Sequence, residues 1–125
     1  MSIEPSDFDI QAALLRQGDQ PQELLAYLST KMASALPELT RVERSGFLGR
    51  GTVRKVEINL GNSRYALELQ RGGLVAQRIK LVRGVEIAHE ELQVPAWIAQ
   101  LTTDLRNQAA QSETIARALR GLIFD

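Results

Sequence analysis

The stretch VRKVEINLGNSRYALELQ, residues 53–70, decides the fold of this 125-residue chain. Apolar and polar residues alternate on both sides of Gly61-Asn62, and this period of two indicates a pair of half-buried strands. A two-residue hairpin at that dipeptide pairs Leu60 with Ser63 and Ile58 with Tyr65. The register predicts that the apolar residues of both strands share one face: Val56, Ile58, Leu60, Tyr65, Leu67 and Leu69.

The next turn sets the position of the third strand relative to this hairpin. A three-residue loop, Arg71–Gly73, is predicted because it pairs Tyr65 with Ile79 and keeps the apolar face continuous. A turn made of the two glycines alone would instead direct Arg78 and Lys80 into the core.

The number of strands in the meander, residues 39–92, stays open. Residues 74–88 form either one long strand that is kinked at Gly84 or two strands that turn there. Residues 39–44 add a possible first strand, although most of their alternation is between charged residues. The antiparallel sheet is therefore expected to have three to five strands.

Residues 1–38 are predicted to be helical. Gly18 ends a short first helix, and Pro21 suits the first turn of a second one because its missing N–H has no helical partner there. The apolar residues of this second helix recur at intervals of three and four until Pro37 prevents continuation: Leu24, Leu25, Leu28, Met32 and Ala35.

Residues 94–124 are also predicted to be helical, as one helix or as two. A continuous helix from Pro95 would be about 43 Å long at 1.5 Å per residue, which is more than a domain of this size covers. Alternatively, Ser112 caps a second helix that folds back. In the first case six apolar residues are candidates for self-association: Ile98, Leu101, Leu105, Ile115, Leu119 and Leu122.

These elements predict one α+β domain over residues 1–125, with two layers in which an antiparallel β-meander packs against N-terminal and C-terminal helices. This order of elements is similar to that of small secretion chaperones. Hydrophobic residues make up 44% of the chain, which supplies a core that needs no metal or disulfide. No cofactor is predicted.

The chain has no cysteine and one histidine. Disulfides, thiolate metal sites and a cysteine nucleophile are therefore excluded, and no metal site is predicted. His89, Glu90 and Glu91 form the one cluster with acid-base potential, but a small enzyme is only the third hypothesis because histidine catalysis needs an aligned partner. No apolar run reaches the roughly 18 residues of a membrane-spanning helix, and the acidic N-terminus is unlike an export signal. A cytoplasmic location is expected.

Charge is distributed unevenly along the sequence. The net charge is zero, but residues 1–40 carry −4 and residues 85–125 carry −3. The segment between them, residues 41–84, carries +7 because it has ten basic and three acidic side chains. Such asymmetry bears on partners rather than on fold.

The predicted register gathers part of this charge on the sheet face that points away from the core. Arg64, Arg78 and Lys80 form the centre of the basic face, and Lys55 and Arg54 extend it. The face suits an acidic protein partner, an anionic membrane surface or a nucleic acid, of which nucleic acid is least favoured because stacking aromatic side chains are scarce. The alternative is an ordinary solvated face that the glutamates of the sheet or the acidic helices neutralise.

The glycine-rich loop at residues 46–51 precedes a strand, whereas phosphate-binding glycine loops open a helix. A loop that presents Phe47, Leu48 and Arg50 to a partner is the alternative to an ordinary loop folded onto the core. The leading hypothesis is a non-catalytic interaction or adaptor module that forms a homodimer or higher oligomer through the C-terminal helix. Nucleic-acid or anionic-membrane binding is the alternative.

Overall fold

The computed structural model describes residues 21–71 and 73–124, of which residues 118, 119 and 121–124 are described by their backbone alone. The predicted first helix, which ends at Gly18, lies outside the described residues. The element order is α1 (Pro21–Ala35), β1 (Thr40–Arg44), β2 (Val53–Leu60), β3 (Ser63–Gln70), β4 (Gly73–Val82), β5 (Val85–Leu92), α2 (Val94–Ala109) and α3 (Glu113–Phe124). The five strands form an antiparallel sheet in the order β1-β2-β3-β4-β5. The predicted α+β class is confirmed.

The β2–β3 hairpin has the predicted register. Leu60 pairs with Ser63 and Ile58 pairs with Tyr65. Gly61 has a φ of 61°, and this left-handed conformation is the one that a two-residue turn requires. The alternation of apolar residues in this stretch was therefore sufficient to fix both strands and their pairing.

The helices pack on one face of the sheet and share its core. α1 buries Leu24, Leu25, Leu28 and Met32 against β1, β2 and β3. Trp97 of α2 is fully buried, and its indole N–H donates a hydrogen bond of 2.9 Å to the backbone oxygen of Gln77. The indole ring meets the Tyr65 ring edge to face, with centroids 6.1 Å apart, which is a favourable aromatic geometry.

The expected register between the third and fourth strands is wrong by one residue. The turn consists of two residues, because Gln70 pairs with Gly73 and Tyr65 consequently pairs with Arg78 rather than with Ile79. Apolar residues of β4 occur on both faces of the strand, so either face can be buried. The observed register places Ile79 on the face opposite the helices, where it forms a small buried cluster with Ala66 and Leu81.

The segment after Lys80 forms two strands rather than one kinked strand. Val82 pairs with Val85 across Arg83 and Gly84, whose φ angles are 53° and 78°. Two successive residues with positive φ are typical of the tight hairpin turn that matches the twist of the flanking strands.

The C-terminal segment consists of two helices, so the expectation of one long helix is wrong and the alternative with Ser112 as a cap is correct. The Ser112 hydroxyl accepts a hydrogen bond of 3.3 Å from the backbone N–H of Ile115. The six apolar residues predicted for self-association therefore do not lie along one continuous helix, and three of them, Ile98, Leu101 and Leu105, are at most 2% exposed. Among the described helices, none is long and apolar enough to cross a membrane.

Replacement of Leu105 by Ala is expected to lower the free energy of unfolding by about 2–5 kcal/mol, because a buried side chain leaves a cavity. Asn107→Ala, at an exposed position of the same helix, is the control and should change it by less than about 0.5 kcal/mol. Urea denaturation followed by the fluorescence of the single tryptophan measures both. Unchanged stability of the Leu105 variant would contradict its place in the core.

Candidate functional site

The structure does not bring the three central residues of the predicted basic face together. Arg64 lies on the face opposite the helices, where its Nε donates a hydrogen bond of 2.9 Å to Asn59 Oδ1. Arg78 pairs with Tyr65 and therefore lies on the helix side of the sheet. Lys80, two residues further along the same strand, points to the same side. The one-residue shift in register is the reason, since it moves every side chain of β4 to the other face.

Lys55 and Arg54 lie beside glutamates of the sheet. Lys55 Nζ is 3.7 Å from Glu57 Oε2, and Arg54 Nη2 is 3.7 Å from Glu68 Oε2. The Lys55–Glu57 pair is partly buried and the Arg54–Glu68 pair is more exposed, and ion pairs near a protein surface contribute about 0–1 kcal/mol to stability. They nevertheless balance charge locally, which favours the solvated-face interpretation for these two cations.

His89 and Glu90 line one small cleft together with Arg78 and Lys80, whereas Glu91 is not part of its lining. All three residues lie on the edge strand β5, where Glu90 pairs with Arg78 and Glu91 pairs with Gln77. The His89 ring is exposed, with its Nδ1 3.6 Å from Glu86 Oε1. Within residues 21–71 and 73–124, no group of three or more metal-ligating side chains could hold a metal ion.

The predicted oligomerisation residues are divided by the C-terminal turn. Ile98, Leu101 and Leu105 belong to α2 and Ile115 belongs to α3, and all four lie in the core cluster of their own chain. Leu119 and Leu122 are among the residues whose side chains are not described. Self-association stays a prediction, and it requires a surface other than these four side chains.

The loop between β1 and β2, residues 45–52 and hereafter the Phe47 loop, is closed at its base by hydrogen bonds. The Ser45 N–H donates to the Thr52 oxygen at 2.9 Å, and the Gly51 N–H donates to the Ser45 oxygen at 2.6 Å. A side chain at Gly51 would place its Cβ 2.2 Å from the Ser45 oxygen, so the closure requires glycine there. The tip, Phe47–Gly49, forms a 3₁₀ turn.

The Phe47 loop exposes its two largest side chains. Phe47 is 85% exposed and Leu48 is 70% exposed. Leu48 also has a φ of 59° and a ψ of 25°, a left-handed conformation that costs a branched residue on the order of 1 kcal/mol. Leu48 therefore combines exposure with backbone strain, and Phe47 is exposed beside it.

Basic side chains surround the Phe47 loop. Arg44 and Arg50 are exposed, and Arg44 Nη1 lies 3.5 Å from the Gly51 oxygen. Arg54, at the start of β2, has a side chain that is 63% exposed, although Glu68 partly balances its charge. Residues 41–54 contain four arginines and one glutamate, a net charge of +3. The candidate interaction site is therefore an apolar tip with a cationic rim.

A second candidate, a polar cleft, lies between α2 and the sheet and was missed by the sequence analysis. The Tyr65 hydroxyl donates a hydrogen bond to Asp104 Oδ2, and its oxygen is 3.4 Å from the Gln100 oxygen. Tyr65 and Asp104 are 39 positions apart, so no local motif connects them. The one available signal was a tyrosine at a core position, because a buried phenol needs a hydrogen-bond partner.

The pKa of Tyr65 is raised well above its ordinary value. Burial is the largest cause, since it disfavours the phenolate, and the hydrogen bond and negative charge of Asp104 act in the same direction. The neighbouring Arg78 guanidinium opposes the rise and is outweighed. Tyr65 is consequently a neutral hydrogen-bond donor at physiological pH.

An apolar cleft of about 500 Å³ lies between the end of α1 and the start of α3. Its lining includes Leu36, Pro37, Leu39 and Ile115, and Glu38 lies at the same surface. The cleft differs from the polar one because hydrocarbon side chains dominate its wall.

Tyr65→Phe is expected to lower stability by about 1–3 kcal/mol near neutral pH, because it removes a hydrogen bond to a carboxylate. The variant's stability should also decrease less steeply than that of wild type as the pH rises into the alkaline range. The folded-state pKa lies above the unfolded value of about 10, so the phenol stabilises the folded chain fully below that pH and loses this effect as pH rises toward the folded-state pKa. Urea midpoints from about pH 8 to about pH 11.5 measure the slope.

Thr103→Ala is the control for the alkaline slope, because it alters the surface beside Asp104 without removing an ionisable group. It should retain the wild-type dependence on pH. Parallel stability curves for wild type and Tyr65→Phe would contradict the role of the Tyr65 phenol.

Comparison of the chain with protein-family models, with curated proteins and with solved structures found no match. We therefore infer function from the residues of the Phe47 loop and of the clefts.

Proposed function

We propose that this protein is a non-catalytic interaction module that binds an acidic protein partner through the Phe47 loop. The observation that carries the proposal is the exposure of Phe47 and Leu48, at 85% and 70%, on a loop with an ordered base. Aromatic residues, including phenylalanine, and arginine are enriched in the cores of protein interfaces. The loop offers both types within six residues.

The apolar tip alone gives weak binding. Burial of a phenylalanine and a leucine contributes about 1.5–3 kcal/mol each. Even the upper total of about 6 kcal/mol corresponds to a dissociation constant no tighter than about 40 µM. Association also costs free energy for lost motion. A useful affinity therefore requires the surrounding cations, and these require an acidic surface around the pocket that receives the tip.

Preorganisation favours the loop as a binding element. The hydrogen bonds between Ser45, Gly51 and Thr52 hold the backbone in one conformation before a partner arrives. A loop that is already ordered loses less conformational entropy on binding than a flexible one. The affinity available from two side chains and a few cations is then larger.

An anionic membrane is the competing target for the same surface. Arginines attract acidic lipid headgroups, and a phenylalanine and a leucine can enter the interface. A protein pocket differs because it recognises the shape of the tip, whereas a lipid surface accepts any bulky apolar pair. The double variant Phe47→Leu with Leu48→Phe exchanges the two side chains and would separate shape recognition from simple insertion.

The test is photo-crosslinking in cells that express the protein with benzoylphenylalanine at position 47. A specific crosslink to an acidic protein is expected, and the same probe at the exposed position Thr30 of α1 is the control. With the purified pair, Phe47→Ser should weaken binding by at least about 30-fold. Arg50→Glu should also weaken binding, and the loss of affinity should be larger at low salt than at high salt because salt screens the charges.

Three outcomes would contradict the acidic-partner proposal. One is a crosslink pattern at position 47 that equals the background at Thr30. Another is crosslinking to lipid alone, together with cosedimentation on anionic vesicles that Phe47→Ser abolishes. The third is a crosslink to a second copy of the chain as the sole product.

Self-association through the Phe47 loop is a second candidate function, favoured by the apolar cleft between α1 and α3. That cleft has a volume of about 500 Å³ and presents Glu38 beside Leu36 and Leu39, so it complements an apolar tip with Arg50 next to it. Contact between two different surfaces would build rings or chains rather than an isologous dimer.

Sedimentation velocity over a range of concentrations tests self-association. Wild type should gain mass with concentration, and Glu38→Lys should remain monomeric because like charges then meet at the contact. The double variant Glu38→Lys with Arg50→Glu, which restores opposite charges, should associate again. A constant monomer mass for wild type, or association that Glu38→Lys leaves intact, would refute this candidate.

A further inference from the structure

Strand β5 forms one edge of the sheet and is almost uncovered. It pairs with β4 alone among the described strands, and seven of its eight residues are exposed, whereas Leu92 is half-buried. The helices therefore leave both faces of the strand open. Val85 and Ile87 are exposed at 63% and 54%, which adds apolar surface beside the open edge. Such an edge is a template for another strand.

The hydrogen bonds of the sheet determine which backbone groups of β5 point outward. The Leu81 N–H donates to the Asn62 oxygen at 2.8 Å. Because the direction of bonding alternates along an antiparallel strand, odd-numbered residues of β4 bond to β3 and even-numbered residues bond to β5. Lys80 pairs with Ala88, so even-numbered residues of β5 bond to β4. Three residues consequently direct their N–H and C=O groups away from the sheet: Ile87, His89 and Glu91.

A bulge limits the regular part of this edge. The pairing of β4 with β5 shifts between Lys80 and Leu81, and Ile87 has no opposite residue on β4. The regular edge therefore runs from residue 87 to residue 92 and contains all three outward-directed residues. A strand that pairs with it can form two backbone hydrogen bonds at each of them.

A second copy of β5 matches this edge best in one register. A two-fold axis places one residue of an antiparallel pair opposite its own copy. With His89 on the axis, Ile87 lies opposite the partner's Glu91, and all three outward-directed residues are bonded. A shift to Ala88 or to Glu90 leaves one of the three unbonded on each strand. The shift to Glu90 also brings two carboxylates face to face, which is unfavourable.

The charges of β5 are compatible with the register centred on His89. Glu90 Oε1 lies 3.7 Å from Arg78 Nη1 and faces the partner's Ala88 rather than a carboxylate. Glu86 Oε1 lies 3.6 Å from His89 Nδ1, which leaves the other ring nitrogen of His89 for the partner's Glu91, its diagonal neighbour. A strand of another protein would have to supply its own polar group for Glu91. The second copy already carries one.

The helices leave room for the second copy. A two-fold axis perpendicular to the sheet keeps both helix layers on the same side. α2 packs over β2 and β4, and the two copies of β4 would be separated by three strand spacings, about 14 Å at about 4.8 Å each. A helix with its side chains is about 10–12 Å in diameter. The two copies of α2 therefore do not collide.

We propose that two copies of this chain pair through β5, with His89 on the two-fold axis, and join their five-stranded sheets into one continuous sheet. The interface consists mainly of backbone hydrogen bonds and is small, so the dimer is weak and depends on concentration. The inference is independent of the Phe47 loop, which lies at the opposite edge of the sheet.

Sedimentation velocity tests the dimer, and wild type should gain mass between about 10 µM and about 500 µM. His89→Pro removes an outward-directed N–H and keeps the bonds between β4 and β5, because an edge strand tolerates proline where the N–H faces solvent. It should weaken association at least about tenfold. His89→Ala keeps the backbone donor and is the matched control, with a loss of less than about threefold.

A pair of variants at position 87 tests the register by the sign of a charge. Ile87→Glu sets a carboxylate opposite the partner's Glu91, and this contact occurs twice in the dimer. It should weaken association at least about fivefold. Ile87→Lys, at the same exposed position, brings opposite charges together and should leave association intact or strengthen it. These variants keep the test decisive if His89→Pro fails to fold.

Single cysteines in this cysteine-free chain test the register by distance. His89→Cys should form a covalent dimer with a short bis-maleimide, whereas Thr30→Cys, at an exposed position of α1, is the control and should not. Ile87→Cys should not crosslink to itself, because the two copies of residue 87 lie four positions apart, about 13 Å along the strands. A mixture of Ile87→Cys and Glu91→Cys should crosslink.

Four outcomes would overturn the β5 dimer. The first is a constant monomer mass for wild type up to about 500 µM. The second is association that His89→Pro leaves intact and Glu38→Lys abolishes, which would place the contact at the Phe47 loop. The third is crosslinking of His89→Cys no greater than that of Thr30→Cys. The fourth is efficient crosslinking of Ile87→Cys to itself, which requires another register.

Discussion

The hydrogen bond between Tyr65 and Asp104 is the constraint on which the arrangement of α2 on the sheet depends. The Tyr65 ring is 1% exposed on the central strand, so its hydroxyl must find an acceptor inside the protein. Asp104 provides it from the second half of α2, and Trp97 packs against the same ring from the first turns. Two contacts separated along one helix fix both its position and its rotation. The polar cleft beside Arg78 follows from that placement.

The strand register could be predicted where the alternation of apolar residues and the turn residues agreed, and it could not be predicted where they did not. In β2 and β3 the large apolar residues from Val56 to Leu69 occupy alternate positions on one face, and Gly61-Asn62 permits one short turn, so the register follows. In β4, Leu74 and Ala76 have one parity while Ile79 and Leu81 have the other. Both faces of this strand are buried in part, and the alternation of apolar residues therefore does not decide the register. A turn shorter by one residue then moved Arg78 to the helix side, and the predicted basic face was divided.

The C-terminal segment illustrates a second physical limit. A heptad stripe has the same spacing in a coiled coil and in two helices that return to one core, so spacing does not distinguish them. The cap distinguishes them, because Ser112 satisfies a backbone N–H that a continuous helix would satisfy through its own carbonyls. The Phe47 loop could be identified from its glycines and bulky residues alone. The Tyr65–Asp104 pair could not, since only the folded chain brings the two together.

The Phe47 loop is longer and more exposed than its connecting role demands. Antiparallel neighbours can be joined by two residues, as Gly61-Asn62 and Arg83-Gly84 do in this same sheet. Residues 45–52 instead form a closed loop that holds Leu48 in a left-handed conformation and directs Phe47 to solvent. Neither feature stabilises the fold, because exposed apolar surface gains nothing in water and the conformation costs energy. A contact that buries the tip would gain from the removal of its apolar surface from water and would offset the conformational cost at Leu48, and the arginines beside the tip would select an acidic surface for that contact.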